Sequence, residues 1–500
     1  MTTHSTDVTD VAAPRSAVPA TPADERLPKG APLVIGLLVV AAFVVILNET
    51  IMSVALPSLM VDLDIPTSTA QWLTTGFLLT MSVVIPTTGF ILRRFTMRQV
   101  FGAAMVLFSL GTAIAAIAPG FGVLLLGRIV QASGTAIMMP LLITTVLTLV
   151  PAARRGRMMG VISIVIAVAP AIGPTVSGLI LSTLTWRWMF IIVLPIAVIA
   201  LLLGLWKITN LTETAKVRLD IVSVALSTLA FGGIIYGLSS IGESAEGAAL
   251  VPTWVPLVVG GLALAGFIAR QIVLQRDDRA LLDLRTFKTR SFVVAVVMVS
   301  VSMMALFGSL IILPLYLQNV LQLDTLETGL LLLPGGVLMG VLSPIVGRVF
   351  DRVGPRPLVI PGAFIVSAAL WGMATLLHEG SSIGWVIAVH LLLNAGFAFM
   401  FTPLLTSALG SLKPTLYAHG SATTSTLQQL AGAAGTALFV TVLSTTTVAG
   451  LTEGLSEVSA TAAGVQAAFL VGGFISLAAI VASFFVRRPV GGLPEGVVAH

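Results

Sequence analysis

Two charged side chains, Glu49 and Arg128, lie well inside long apolar stretches of the chain. A charge at membrane depth costs about 3 kcal/mol on insertion scales and usually marks a functional site. Because desolvation disfavours the charged form of a carboxyl group, Glu49 is suited to carry a proton and to release it when water or a cationic substrate arrives. Two structural alternatives remain open: a neutral Glu49 hydrogen-bonded to a neighbouring helix, and an Arg128 side chain that snorkels outwards and anchors its helix.

The composition is that of an integral membrane protein. Of the 500 residues, 57% are hydrophobic and 9% are charged, whereas a soluble domain carries about 25% charged residues. The chain has no cysteine, which excludes disulfides and cysteine-ligated metal centres. No two of its five histidines have the spacing of metal ligands on a helix, so we predict no metal and no cofactor.

Fourteen apolar runs predict an all-α integral membrane protein with 14 transmembrane helices. Each run is near the roughly 20 residues that a helix needs to cross a bilayer. The runs cover about residues 32–56, 71–92, 99–118, 121–149, 158–183, 186–206, 220–240, 253–274, 291–318, 327–347, 357–377, 382–409, 425–448 and 466–486.

The charges outside these runs predict the orientation. Every Lys and Arg except Arg128 and Arg187 falls in a terminal tail or in alternate loops, and the other loops carry acidic residues instead. The positive-inside rule then places both termini in the cytoplasm of a protein that spans the cell membrane many times. The excess of basic residues reports this orientation, so we predict no nucleic-acid partner.

Two similar loops indicate an internal repeat. G-F-I-L-R-R-F-T-M-R begins at Gly89, and G-R-V-F-D-R-V-G-P-R begins 258 residues later at Gly347. Such a repeat is typical of transporters built from two parallel halves. We predict a disordered tail over 1–30, six-helix bundles over 31–206 and 291–486, an inserted helix pair with a basic link over 207–290, and a tail over 487–500. The link Arg270–Arg290 reads as a basic interfacial helix.

The segment Ala167–Leu179, A-V-A-P-A-I-G-P-T-V-S-G-L, lies in the fifth run. Ala169, Gly173 and Ser177 recur every four residues, which puts small side chains on one helical face and lets another helix approach closely. Two prolines in the same segment remove backbone donors and predict a bend.

Five motifs carry a resemblance to a known family. They are L-N-E-T-I-M-S-V-A-L-P from Leu47, L-L-L-G-R-I-V-Q-A-S-G from Leu124, the segment Ala169–Gly178, W-R-W-M-F from Trp186, and H-G-S-A-T-T-S-T-L-Q-Q-L-A-G-A-A-G-T-A-L from His419. Over residues 31 to 490 the chain resembles the fourteen-helix drug/proton antiporters of the major facilitator superfamily (the EmrB/QacA-type branch), and most closely the lincomycin-resistance-like members.

This resemblance implies roles for several residues. Proton coupling would involve Glu49 and Arg128, although relatives carry an Asp at the position of Asn48 and a Gly at the position of Ala132. The antiporter signature of the fifth helix would comprise Ala169, Gly173, Pro174 and Gly178. We expect it to seal the two halves and prevent proton leak, and Gly432 and Gly435 to form the counterpart in helix 13.

The two repeated loops would be gating loops. The residues concerned are Gly89, Arg93, Arg94, Arg98, Gly347, Asp351, Arg352 and Gly354. Arg93 and Thr96 stand where the superfamily pattern has Asp and Gly, so the second loop carries more weight. The alternative is that these charges only set the topology.

Polar, aromatic and soft side chains inside the apolar runs are candidates for the substrate cavity. They are Asn48, Met52, Trp72, Thr75, Tyr316, Gln318, Asn319, His390, Asn394 and Gln428. The alternative for each is ordinary helix packing.

The predicted function is multidrug efflux: a proton-coupled antiporter, working by alternating access, that exports amphipathic or cationic drugs. The alternative is an exporter of an endogenous metabolite or antibiotic by the same proton antiport. No catalytic constellation and no phosphate-binding loop is present, so we predict no enzyme. We expect small-molecule substrate, protons and membrane lipid as partners, and a monomer.

Overall fold

The computed structural model describes residues 30–65, 67–208, 210, 214, 219–245 and 251–487. These residues form helices and no strand. Among them, fourteen helices are long and apolar enough to cross a membrane, which confirms the predicted all-α fold. The predicted N-terminal tail up to residue 29, and the C-terminal tail from residue 488, lie outside the described residues.

We number the fourteen helices α1 to α14. They are α1 Ala31–Asp62, α2 Thr67–Arg94, α3 Met97–Ala116, α4 Phe121–Leu149, α5 Arg155–Thr183, α6 Arg187–Lys207, α7 (Ile221–Ser227, a π-helical turn at Thr228–Gly232 and Gly233–Ala245), α8 Trp254–Leu274, α9 Arg290–Asn319, α10 Thr325–Val353, α11 Arg356–Leu376, α12 Ile383–Gly410, α13 Tyr417–Thr452 and α14 Glu457–Ser483. Following the predicted division, we refer to α1–α6 as the first half, to α7 and α8 as the inserted pair, and to α9–α14 as the second half.

Successive membrane-crossing helices alternate in direction, so the loops divide between two ends of the bundle. The basic end carries the loops that follow the even-numbered helices α2, α4, α6, α8, α10 and α12, and the acidic end carries the loops that follow the odd-numbered helices. Arg187, the first residue of α6, is a basic residue at the acidic end. It forms an ion pair with Asp62 at 3.1 Å and donates to the carbonyl of Ala118, so its charge has a local structural use there.

Polar side chains at the loop ends begin several helices. The Thr96 hydroxyl accepts the N–H of Gln99, and the Gln99 side chain accepts the N–H of Thr96. Asp324 and Glu327 form the same capping box at the start of α10. Such boxes satisfy backbone donors that a helix end leaves unpaired. Thr96 therefore caps α3 at the position where the superfamily pattern has glycine.

The two halves use the same helix pairings. Within the halves, α5 packs on α1 and α13 packs on α9; across the halves, α5 packs on α10 and α13 packs on α2. A methyl group on Gly173 would overlap Thr50, and one on Gly435 would overlap the backbone of Met304. Small residues thus let the helices approach closely at corresponding places, related by about the same offset as the two loop motifs.

The inserted pair packs beside α2 and α13. Phe231 of α7 and Phe267 of α8 meet edge to face, with 5.9 Å between ring centroids. At the basic end, Asp220 caps α7 by accepting the N–H of Ser223, and it binds the guanidinium of Arg270 at 2.6 and 2.8 Å. The aromatic contact and the ion pair join the two inserted helices.

The prediction of an interfacial helix over the link Arg270–Arg290 is wrong. The helix α8 ends at Leu274, and only short 3₁₀ turns follow, at Gln275–Asp277 and Leu284–Lys288. Asp278 has a φ of 53°, a left-handed conformation that breaks a helix. The residues after it, 280–283, are buried between helices, so the link buries its apolar side chains in the protein rather than in lipid.

Candidate proton-coupling site and gates

Arg128 is held inside the first half. Its side chain is 1% exposed, and its Nη1 donates to the Asn48 side chain at 3.2 Å and to the Gln131 side chain at 2.7 Å. Its guanidinium lies 4.1 Å from the ring centroid of Phe77, within the range of a cation–π interaction. The side chain is buried and its Nη1 binds local partners, while its Nε is buried without a partner in the described residues. The side chain therefore does not snorkel to the membrane surface.

The contacts of Arg128 continue into α3. The Gln131 amide donates to the Thr112 hydroxyl at 2.8 Å, and Thr112 donates to the carbonyl of Phe108 at 2.7 Å. A methyl group on Gly134 would overlap the backbone of α3, so α3 and α4 need glycine there. Ala132, which departs from the family motif, is fully buried in a cluster with Phe77, and an alanine therefore fits at that position.

Glu49 is half-buried and lies beside Asn48 on α1. Its charge and that of Arg128 interact. Within the described part of the chain, however, no ion pair within 4.0 Å and no hydrogen bond joins the Glu49 carboxylate to another group. The structure thus brings the two predicted residues to one site, with Asn48 as the direct partner of Arg128. A carboxylate without a fixed cationic partner is free to exchange its proton.

Sequence reasoning missed Phe77 and Thr112 at this site. Thr112 carried a weak signal, because a hydroxyl in an apolar run of a membrane helix needs a partner. Phe77 carried none, since one more aromatic residue in an apolar helix is ordinary packing.

The α5 helix presents two packing faces. Ala169 and Gly173 face α1: the Thr50 hydroxyl donates to the carbonyl of Ala169 at 3.5 Å, and Gly173 abuts Thr50. Pro174 is half-buried, and a methyl group on Gly178 would meet no atom within 4 Å. The face that carries Ala169 and Gly173 thus packs inside the first half, which differs from the expectation that it seals the two halves.

The other face of α5 makes the contact between the halves. Methyl groups on Gly156, Gly160 and Gly336 would overlap atoms of the opposing helix, α10 or α5, so the two backbones lie close together. Near the acidic end the spacing is wider: a methyl group on Gly329 would lie 3.2 Å from the Thr175 hydroxyl. Successive residues turn by about 100° around a helix, so one proline-rich segment serves both faces.

The second gating loop closes on the start of α5. The Asp351 carboxylate accepts the backbone N–H groups of Gly156 at 2.8 Å and Arg157 at 3.0 Å. A carboxylate at this place is stabilised by the helix dipole as well as by the hydrogen bonds. Gly354, with a φ of 80°, ends α10 in a conformation that favours glycine. Arg352 points to solvent.

The first gating loop closes on the start of α13. The Arg93 Nη1 lies 2.8 Å from the His419 Nε2, and a methyl group on Gly89 would lie 3.1 Å from the same ring. Arg94 and Arg98 are exposed. Arg93 thus binds the opposite half at the position that corresponds to Asp351.

Further hydrogen bonds join the halves near the basic end. They run from Arg155 to the Tyr417 hydroxyl, from Thr402 to Ser163, and from Ser421 to the carbonyl of Pro140. In the described residues, the hydrogen bonds between the halves are found between the basic end and the middle of the bundle. The one furthest from the basic end joins the Gln429 side chain to Met81. The structure is therefore closed at the basic end.

The predicted cavity residues lie in several different environments. In the first half, Asn48 binds Arg128, Met52 and Thr75 are buried, and Trp72 stacks on Tyr236 of the inserted pair. In α9, the Tyr316 hydroxyl donates to the carbonyl of His378, Gln318 is half-buried and Asn319 is exposed. His390 and Asn394 pack against Gly335 of α10, and Gln428 has a buried amide nitrogen with no partner among the described residues. Trp72 therefore faces the inserted pair. The part of each residue in substrate binding stays a prediction.

Two halves that pair their helices in the same way and close at one end have the architecture of a membrane transporter built from two repeats. The model of the Major Facilitator Superfamily matches residues 38–436. The chain therefore belongs to this superfamily.

Similar proteins support and refine this assignment. The lincomycin resistance protein LmrB of Listeria monocytogenes is 42% identical over 460 residues, which cover 91% of this chain and 96% of that protein. A multidrug resistance protein B homolog of Mycobacterium tuberculosis is 30% identical over 441 residues, 87% of this chain and 80% of its own. The solved structure of the human organic anion transporter MFSD10 has the same fold, with a TM-score of 0.64 at 16% identity over 91% of this chain and 99% of that one.

The protein is thus a multi-pass membrane transporter of the drug-resistance branch, and it moves small molecules rather than catalysing a reaction.

Proposed function

We propose that the protein is a proton-coupled antiporter that exports amphipathic or cationic drugs across the cell membrane, with both termini in the cytoplasm. The observation that carries this proposal is the pairing of a buried Arg128, hydrogen-bonded to Asn48 and Gln131, with a nearby Glu49 that makes no close ion pair among the described residues. A site that only stabilised the fold would gain more from a direct ion pair or from apolar side chains.

The site suits a proton that enters from one side and leaves on the other. While the basic end is closed, Glu49 takes up a proton from the side of the membrane at which the acidic end lies. The neutral carboxyl group then loses its attraction to Arg128. When the basic end opens, water reaches the carboxyl group, and the positive charge of Arg128 favours release of the proton. A cationic substrate competes for the same negative charge, which couples export to proton entry.

A second candidate is export of one antibiotic or endogenous metabolite by the same proton antiport. Similarity to a protein named for lincomycin resistance favours a narrower substrate range, while similarity to a protein named for multidrug resistance favours a broad one. The substrate therefore has to be measured.

The test uses inside-out membrane vesicles that carry a pH gradient. Cationic dyes, lincosamides and candidate metabolites are added in turn, and release of the gradient is recorded. We expect the wild-type protein to release the gradient with at least one of these compounds. Glu49→Gln should lose this release although the protein is still inserted, because an amide cannot exchange the proton. Glu453→Gln, which changes an exposed acid at the end of α13, is the matched control and should behave as wild type.

Two outcomes contradict the proposal. If no compound releases the gradient, the protein is not a drug/proton antiporter. If Glu49→Gln transports with an unchanged dependence on the pH gradient, Glu49 does not carry the proton.

A further inference from the structure

The link between α8 and α9 enters the gate at the basic end. Leu281 and Leu282 are 2% and 3% exposed, and they form one cluster with Phe231 of α7, Phe267 of α8 and Ala422 of α13. The carbonyl of Leu281 lies 3.0 Å from where a methyl group on residue 89 would stand. The link therefore touches both helices that meet in this gate, α2 and α13.

The inserted pair fixes the position of the link through one buried amide. The Gln271 side-chain oxygen accepts the backbone N–H groups of Leu281 at 2.7 Å and Leu282 at 3.3 Å. Its nitrogen donates to the Ser223 hydroxyl on α7 at 2.7 Å. Because both polar ends of Gln271 are used, a shift of α7 or α8 is passed directly to the link.

His419 lies between the link and α2. Its ring is 1% exposed, with Nε2 at 2.8 Å from the Arg93 Nη1 and Nδ1 at 3.2 Å from the carbonyl of Leu281. A guanidinium can only donate and a carbonyl can only accept, so Nε2 must be the acceptor and Nδ1 must carry the hydrogen. Both contacts together require a neutral ring.

We propose that Arg93, His419 and Leu281 form a latch by which the inserted helix pair holds the basic end closed, and that a proton on His419 opens it. An imidazolium ring would present an N–H group to the Arg93 guanidinium, so the hydrogen bond would be lost and two positive charges would face each other. The latch then opens in an acidic cytoplasm and stays closed at neutral pH.

The other charged groups around the ring offset this repulsion only in part, because Arg93 disfavours a charge on the ring more strongly than Asp283 favours it. Those that face it are Arg93 from α2, and Asp278, Asp283 and Arg285 from the link. Both acids bind Arg285, whose positive charge weakens their attraction for a protonated His419. The nearby surfaces of α9 and of the loop after α12 are apolar, with Phe292 and Leu412 beside Gly420.

This inference uses only the closure of the basic end, so it does not depend on which substrate is exported or on proton transfer through Glu49. The test is therefore a labelling experiment. The chain has no cysteine, and Ala422→Cys gives a single thiol at a fully buried position under the link. The rate of its reaction with a maleimide added to the basic side of membrane vesicles is measured from pH 8 to pH 5. Each rate is divided by that of Ala153→Cys, an exposed position in the loop after α4, which corrects for the reactivity of the thiol.

We expect the corrected rate to rise several-fold as the pH falls. His419→Gln keeps a donor and an acceptor but cannot gain a proton, so its rate should stay low at every pH. His419→Lys carries a permanent charge and should be labelled fast at every pH. A rate that still rises in His419→Gln, or a rate in His419→Lys as low as that of the neutral wild type, overturns the proposal.

A second variant tests the inserted pair without altering the His419 ring. It also tests whether the link holds the gate closed if His419→Lys is not inserted into the membrane. Gln271→Leu has nearly the same volume but releases the link, so labelling at residue 422 should increase even at pH 8. Ile272→Ala changes the next residue, which is 45% exposed on α8, and should leave the rate unchanged. Equal rates in Gln271→Leu and wild type would show that the link does not hold the gate.

Discussion

The two gating loops occupy corresponding places in the two halves, but different chemistry holds them. In the second half, Asp351 accepts two backbone N–H groups at the start of α5. In the first half, Arg93 stands at the corresponding position and donates to His419 at the start of α13. A carboxylate on a helix N-terminus is favoured by the helix dipole, whereas a guanidinium there needs an acceptor side chain. The departure of Arg93 from the family pattern is thus matched by His419 on the opposite helix.

The two gating loops also differ in how closely the helix backbones approach each other. Gly347 and Gly156 touch so closely that a methyl group on either would overlap the carbonyl of the other helix. A methyl group on Gly89 would stand 3.0 Å from the nearest atom, the carbonyl oxygen of Leu281, which is a tight contact but not an overlap. The gate between α5 and α10 is thus a direct contact of two backbones, and the gate between α2 and α13 is built from side chains and the link. We expect the first to be the stiffer of the two.

The largest expected effect comes from Gly347→Ala. Overlap with a backbone carbonyl cannot be relieved by turning a side chain, so the variant should lose about 1–3 kcal/mol of stability and should leave the basic end partly open. Gly89→Ala is the matched change in the other loop and should cost less than about 1 kcal/mol. Thermal unfolding of the purified protein gives both values. A larger loss in Gly89→Ala would reverse the order of stiffness that we infer.

A smaller effect is expected from Asp351→Asn. The amide keeps one acceptor oxygen but loses the charge that favours the start of α5, which is worth about 1 kcal/mol. Ser343→Cys, at a fully buried position on α10, reports opening of this gate through maleimide labelling. We expect faster labelling in Asp351→Asn and no change in Arg352→Gln, which alters the exposed neighbour. If the two variants are labelled equally fast, the charge on Asp351 does not hold the gate.

The sequence was sufficient to predict the number and arrangement of the helices, but not the contacts between them. Apolar length, alternating loop charge and the offset between Gly89 and Gly347 lead to fourteen helices in two related halves, because the bilayer imposes the length and the sign of charge. The same reasoning brought Glu49 and Arg128 to attention, since few charges lie at membrane depth. These inferences depend on one helix at a time.

Contacts between helices could not be predicted in this way. Every face of a membrane helix is apolar, so composition does not show that Gly173 packs on α1 while the opposite face packs on α10. Nor could it show that the link is buried. Its charges suggested a surface helix, but Gln271 supplies an acceptor for the backbone of Leu281 and Leu282, and this acceptor lies ten residues earlier in the chain.

The smallest expected effect lies in the inserted pair, which supports only the gate between α2 and α13. Hydrogen bonds from Arg270 hold the pKa of Asp220 well below its usual range. The ion pair therefore contributes stability above about pH 4, the usual value for Asp, and this contribution is lost as the pH falls further towards the pKa of the folded state. Asp220→Asn should keep the cap on α7 and lose the pair, at a cost below about 1 kcal/mol because Arg270 is partly exposed.

This variant separates the two gates. Labelling at Ala422→Cys should increase slightly in Asp220→Asn, because α7 and α8 then hold the link less firmly, while labelling at Ser343→Cys should not change. Asp324→Asn changes an acidic helix cap that has no arginine partner in the described residues, and it should affect neither rate. If Asp220→Asn opened both gates equally, the inserted pair would stabilise the whole bundle rather than one gate, and the difference between the two loops would be confined to the side chains that meet there.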